Sequence, residues 1–390
     1  MSSRIITLHE NFDDFHEVKE MRLINELTES LNGFLCWDKR RMDCFVKILI
    51  ALMVAQTINL KKIACIMFGT AKPDSSYRRL QRFFAFFKMD YNMLAKLIMS
   101  LFHLDQGKHY LILDRTNWQW GKKNINILFL CIAYKKIAVP IFWLVLNKKG
   151  NSSTRERSAL IERFINVFGT KNIAGLLGDR EFIGKLWFQY LKNRKIPFYF
   201  RIKKDADTTN SNGKSVAVGW LFHDLKSHQP KLIKGKRKIY GHELFVTGMR
   251  IDDDYLIIVT NKEPGIREPD QAVTIYAVRW EIETLFGCLK SKGFNFEATH
   301  ITHRGRIKKL IAVLAIAFCW AHLTGEWRHQ YEKTIPLKTH GRPQVSLFRY
   351  GLDWIANKLV HGGQKLRQLG VVLDRIFIKP LCLAPPGVGK

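Results

Sequence analysis

From residue 108 the chain carries a pattern that few folds accept: three β-prone runs back to back, then helix, strand, helix and strand. The three runs are HYLILDRTNW from His109, INILFLCIAY from Ile125 and VPIFWLVLN from Val139. Each is rich in β-branched and aromatic residues and is set off by short polar breaks, which predicts three adjacent strands. Residues 158–168 read as a helix, IAGLLGD as a strand, 185–193 as a helix and FYFRIKK as a strand. Strands joined by tight turns pair antiparallel, whereas a strand reached through a helix is free to pair in parallel. The chain is therefore expected to build an α/β layer on a mixed sheet.

That order fits a ribonuclease-H-like fold, and its surroundings divide the 390 residues further. Residues 204 to about 262 hold short alternating runs between Gly, Ser, Asn and Asp clusters, which reads as a β-strand insertion in the α/β core. The insertion includes five basic residues from Lys231 to Lys238, either a strip that tracks DNA or a charged hairpin edge. Residues 1–105 read as helical, with apolar segments at 45–55 and 60–68, a break at Gly69 to Pro73, and a third helix capped by Asp74 or Ser75. Three short helices with a tight break are compatible with a helix-turn-helix-like module. The third helix, SYRRLQRFFAFF, puts Leu80, Phe83, Phe84 and Phe87 at core spacing and leaves Arg78, Arg79 and Arg82 outward. Those arginines are either DNA contacts or a solvated basic face. A long helix is predicted from Pro269 to about Lys292, and residues 305–377 read as helical, followed by a disordered tail, APPGVGK. The expected division is a helical DNA-binding domain (1–105), a catalytic domain (106–304) and a helical C-terminal region (305–390) suited to dimerisation.

Charge narrows the partner. Lys and Arg number 63 against 34 Asp and Glu, a net charge of +29. Such a surface repels itself unless it meets a polyanion, so nucleic acid is the expected partner. The seven cysteines are scattered with no Cys-x-x-Cys pair, which argues against a zinc module and suits a reducing cytoplasm. Glu10, Asp13, Asp14 and Glu17 stand where a signal peptide needs a basic start. The apolar run Leu310 to Ala321 is shorter than the ~20 residues that span a bilayer and reads as a buried helix, so no membrane partner is expected.

Three carboxylates carry the candidate chemistry. Asp114 ends HYLILD and Asp179 ends IAGLLGD, and two neighbouring strand ends would put both on one rim of the sheet, where open α/β sheets bind ligands. In the helix YAVRWEIETLFGCLK, Tyr276, Arg279, Glu283 and Lys290 fall within an arc of roughly 60° at about 100° per residue. Val278, Ile282, Leu285 and Leu289 form a separate apolar stripe. The polar stripe is either a surface salt-bridge ladder, since Arg279 and Glu283 stand at i,i+4, or a functional face. DNA strand transfer calls for hard divalent cations held by a few carboxylates, and two Asp and one Glu supply such a set for Mg2+ or Mn2+. Arg279 and Lys290 would then hold flanking phosphates.

The spacing Tyr-x2-Arg-x3-Glu-x6-Lys at 276–290 resembles the Y-R-E-K signature of bacterial insertion-sequence DDE transposases of the IS-four family. Gly178-Asp179-Arg180-Glu181-Phe182 is similar to that family's second-Asp motif, and Asp114-Arg115-Thr116-Asn117-Trp118 to its first. The resemblance implies an enzyme that cuts at the terminal inverted repeats of its own element and joins the ends to target double-stranded DNA. It implies metal binding by Asp114, Asp179 and Glu283, and DNA contacts by Tyr276, Arg279 and Lys290, with Arg180 beside them. It further implies a homodimer in the synaptic complex and a hairpin intermediate with a flipped base on an aromatic residue, at the position held by Tyr255. A regulator without catalysis would not need all three carboxylates. A stand-alone nuclease of the same fold would not need the flanking helices or the insertion.

Overall fold

A computed structural model describes residues 21–252, 254–265, 270–361 and 364–378. Glu10, Asp13, Asp14 and Glu17, together with Pro269 and the APPGVGK tail, lie outside the described residues. Two compact units emerge, Gln106–Phe286 and Met1–Asp105 with Gly287–Lys390.

In the first unit, β1 (His109–Trp120), β2 (Lys123–Tyr134) and β3 (Ile137–Leu146) form an antiparallel meander. The β2–β3 turn is two residues long, Lys135 and Lys136, both at positive φ, the backbone that lets tight hairpins follow the strand twist. The helix α6 (Thr154–Phe168) opens on a capping box between Ser153 and Glu156. It leads to β4 (Ile173–Gly178), α7 (Lys185–Asn193) and β5 (Phe198–Ile202). β4 adds to β1 in parallel and β5 to β4 in parallel, so the sheet runs β3-β2-β1-β4-β5. This is the sheet of the ribonuclease-H-like fold. β2 is buried along Ile125–Ile132, as expected of a strand covered on both faces.

The insertion extends this sheet. Its strands are β6 (Asp207–Thr209), β7 (Ser215–Ala217), β8 (Pro230–Leu232), β9 (Arg237–Ile239), β10 (His242–Ile251) and β11 (Asp254–Thr260). β11 returns antiparallel to β5, and β10 and β8 follow outward. SVAVGWLF is strand only to Ala217; Val218–Phe222 is a 3-10 turn that buries Val218 and Phe222. The unit then turns helical in α8 (Gln271–Ala277) and α9 (Glu281–Leu289).

The second unit is all-helical. Residues 21–35 form α1, followed by α2 (Lys39–Ala55), α3 (Leu60–Ile66), α4 (Pro73–Phe86) and α5 (Tyr91–Leu101). α4 starts one turn-position earlier than its polar residues suggest: Pro73 takes the first helical position, where its missing N–H costs nothing, and no side chain caps the end. The helices α10 (Arg304–Tyr331), α11 (Leu347–His361) and α12 (Gln364–Leu373) pack with these, α10 against α2, α4, α5 and α11. At 28 residues α10 is long and apolar enough to cross a membrane by length and composition, yet 83% of its most apolar window is buried within the protein. It is the central core helix. The six cysteines among the described residues are free.

Candidate active site

The site is set by where β4 stops. β1 and β4 pair in parallel up to Leu113 opposite Gly178; β4 then ends and Asp179 follows. β1 continues to Trp120 because β2 keeps pairing with it, so Asp114 stands in mid-strand instead of at the strand end expected from HYLILD. What places Asp114 on the rim is the end of its neighbour. Adjacent strands lie about 4.8 Å apart, so the register brings Asp114 and Asp179 side by side. Each aspartate's Oδ1 accepts the N–H of the next residue, Arg115 or Arg180, at 2.7 Å. Gly178 leaves no room for a side chain: a Cβ there would run into the Phe200 ring.

Tyr276, Arg279 and Glu283 come from α8, α9 and the link between them. The predicted continuous helix is interrupted by a 3-10 turn at Val278–Trp280. In that turn Arg279 faces inward, 4% exposed, while Trp280 is 60% exposed. The Arg279 Nη1 donates to Asp114 Oδ2 at 2.9 Å, and the guanidinium lies 5.7 Å from the Tyr276 ring centroid and 4.7 Å from that of Trp280. Tyr276 is buried, and its hydroxyl donates to Asp179 Oδ1 at 3.4 Å. The two residues expected at the DNA are thus aimed at the two aspartates. Glu283 is exposed.

Electrostatics tie Glu283 to this cluster. Burial pushes the Asp114 carboxyl up to about 6; the Arg115 N–H and Arg279 pull it back down, and the charges of Glu283 and Glu181 raise it again. A carboxyl crowded by other carboxyls is what a divalent cation would relieve, and every donor here is a hard oxygen. Among the described residues no three His, Cys, Asp or Glu side chains are drawn together into a ready-made metal cluster. The donors fit a divalent cation in chemistry, with the Arg279 guanidinium holding Asp114 in its place.

Several supporting residues escaped the sequence reading. Glu281, two positions before Glu283, accepts the N–H groups of Tyr134 and Lys136 at 3.0 and 2.9 Å, which anchors the start of α9 to the β2–β3 turn. Phe286 on α9 meets Phe129 on β2. Arg115 makes a two-pronged pair with Glu181 at 3.1 and 2.9 Å and also reaches Asn126 and Asn151. The buried Arg157 donates to the Glu181 carbonyl and stacks over Phe182. The residue after Asp114 and the second residue after Asp179 are therefore clamped together. Glu181 was visible only as a letter of the Asp-Arg-Glu-Phe block; nothing in sequence spacing links it to a partner 66 residues away.

Of the other candidates, Arg180 is exposed beside Asp179. Lys290 pairs with Glu297 at 2.7 Å. Tyr255 lines an open groove of about 720 Å³ with Arg201, Lys204, Trp280, Tyr276 and Arg279. On α4, Arg78 and Arg82 are exposed, whereas Arg79 pairs with Asp43 of α2 at 2.5 Å. In the basic strip, Lys231 pairs with Asp224 at 2.8 Å.

A family model described as the transposase DDE domain matches residues 105–320, more than half of the chain. No curated protein matches the chain significantly. Among solved structures, the chain is similar to a piggyBac transposase in a cryo-EM synaptic complex with hairpin DNA. The two are 10% identical, 94% of this chain and 84% of that one are covered, and the TM-score is 0.44. A likeness that distant carries no functional argument.

Proposed function

The chain belongs to the transposase DDE domain family, enzymes that cut DNA and transfer its strands with divalent metal ions, and on that premise we propose which residues act and on what. Asp114, Asp179 and Glu283 are the metal-binding triad, with Mg2+ the expected ion and Mn2+ able to replace it. The observation that carries this reading is the register that sets Asp114 beside Asp179, together with the repulsion between the Glu283 and Asp114 carboxylates. Cations held there would polarise the scissile phosphate and activate a water or a 3′-hydroxyl as nucleophile.

The chain's own groups prepare that chemistry. The backbone N–H groups of Arg115 and Arg180 hold Oδ1 of each aspartate, and Asp114 Oδ2 accepts from Arg279. Tyr276 orients Asp179. Arg279, its guanidinium held on Asp114, is the cation proposed to face a phosphate of the DNA. Arg180 and Lys290 serve the flanking phosphates. Tyr255, in its groove beside Trp280, is suited to stack on a base turned out of the duplex.

The finer reading is an insertion-sequence transposase of the IS-four, Y-R-E-K group, acting in the cytoplasm. It cuts at terminal inverted repeats and moves the element by cut-and-paste through a hairpin. Its N-terminal domain, expected over residues 1–105, grips DNA and its C-terminal helices support a homodimer at synapsis. The test is an assay on duplexes carrying the DNA that flanks the gene, with Mg2+ present. Wild type should cleave and join, while Asp114→Ala and Glu283→Ala should bind with near-wild-type affinity and lose cleavage by at least about a thousandfold, the scale of losing a charge-stabilising group. Cleavage by either variant at the wild-type rate would refute the triad, and nicking without joining would favour a nuclease of the same fold.

A further inference from the structure

We propose that α3, α4 and residues 299–306 form one groove that binds duplex DNA, with cations on the phosphates and α4 presenting Tyr77 and Gln81 to the bases. The inference rests on the reading of the chain as a DNA-acting enzyme and assigns a site remote in sequence from the triad.

The groove has a volume of about 350 Å³, room for a stretch of one backbone strand of the duplex, and is lined by Lys61, Tyr77, Gln81, His300, His303 and Arg306, among others, with no Asp or Glu among its lining residues. Lys61 and Arg306 make the lining positive, which fits a polyanion. α4 is held firmly from behind. Leu80, Phe83 and Phe84 are buried, Arg79 is tied to Asp43 on α2, and Lys309 of α10 donates to the Phe84 and Ala85 carbonyls at 2.9 and 3.0 Å. That leaves Gln81 exposed in the groove and Arg78 and Arg82 exposed on the adjoining row of the same helix. A rigid helix with an open Gln and Arg face suits base reading, since Gln pairs with adenine edges and Arg with guanine.

The opposite wall comes from the segment that follows α9. His300, Thr302, His303, Arg304 and Arg306 are exposed there. Thr299 is buried and accepts the Ile301 N–H at 3.3 Å, and the Ile58 N–H donates to the Phe294 carbonyl, so this segment is stitched to the α2–α3 link. Lys61 faces it from α3. One face of the groove therefore carries direct readout and the other carries phosphate contacts, the usual division of labour at a DNA interface.

Duplex binding by the full chain, read by fluorescence anisotropy, tests this. The probes are a labelled duplex with the DNA flanking the gene and a scrambled duplex of equal length. A Lys61→Gln/Arg306→Gln double variant should weaken binding to both about tenfold or more and flatten the dependence of log K on log salt by about two, roughly one per lost phosphate contact. Gln81→Ala should leave the scrambled duplex unaffected and narrow the preference for the flanking DNA roughly tenfold. All three side chains are exposed, and unchanged thermal melting confirms folding. A double variant that binds with wild-type affinity and salt slope overturns the groove, as does a loss confined to an acidic peptide such as polyglutamate; an unchanged preference for Gln81→Ala overturns the reading role. If wild type binds neither duplex, the DNA-enzyme reading itself fails; if wild type and variants bind alike, only the groove does.

Discussion

Asp114 is held between forces that pull its proton in opposite directions. Burial favours the neutral acid and Arg279 at 2.9 Å favours the anion, with burial winning so that the carboxyl is pushed up to about 6. An unfolded aspartate titrates near 3.9. The folded state therefore binds the proton more tightly, and this group's contribution to stability is full below about pH 4 and lost as pH rises through 6. In chelator, wild type should lose stability relative to Asp114→Asn between pH 4 and 7, by on the order of 2–3 kcal/mol, and added Mg2+ should stabilise only wild type. Parallel melting-versus-pH curves for the two proteins would refute this. The Arg115–Glu181 clamp makes a second prediction at this scale. Glu181→Gln leaves the partly buried guanidinium without its carboxylate, so it should cost about 1–3 kcal/mol of stability. It should also lower the cleavage rate while leaving DNA affinity within about twofold, because Glu181 positions Asp114 and Asp179 without needing to touch DNA. A weakened affinity with an intact rate would place Glu181 at the DNA instead.

Elements in this chain are positioned by a few close approaches. α10 and α11 cross at Gly325 and Gly351, where a Cβ on Gly325 would collide with the Leu347 carbonyl and one on Gly351 with the Ala321 carbonyl. Backbone cannot retreat as a side chain can, so Gly351→Ala should destabilise the full chain by about 3 kcal/mol or more. Gly33→Ala, in α1 with nothing within 4 Å of the added methyl, should be neutral or slightly stabilising and serves as the control. Equal melting temperatures for the two variants would show that the crossing tolerates separation. At this scale the strands β1 to β5 and α7 were readable from periodicity and breaks, since each buries a face set by its own residues. The α8–α9 interruption was not. Tyr276, Val278, Arg279 and Ile282 satisfy a helical pattern equally well whether residues 278–280 are wound as α or as 3-10, and contacts to Asp114, Asp179 and the β2–β3 turn made the choice.

For the molecule as a whole, an excess of 29 positive charges predicts DNA binding dominated by counterion release. Affinity for an unrelated duplex should fall at least about a hundredfold between 50 and 200 mM salt; a drop of less than about threefold would mean that the charge is spent on internal pairs. The chain passes between its two units at residues 105–106 and 286–287, so segments separated by the 181 residues of Gln106–Phe286 share one helical core. No local pattern announces that: α10's apolar faces all need covering, but periodicity does not say by what. The α/β class, the basic partner preference and the choice of Asp114, Asp179 and Glu283 as candidates were legible in the linear chain, because they depend on side-chain chemistry and on repeats of a few residues. Which carboxylate stands next to which depended on the folded sheet. Asp114 reaches the rim only because β4 ends beside it while β1 runs on, and Arg279 meets Asp114 from a 3-10 turn while Tyr276 meets Asp179 from the end of α8. Both follow from hydrogen bonds between residues 65 to 165 apart, a distance at which sequence patterns carry no register.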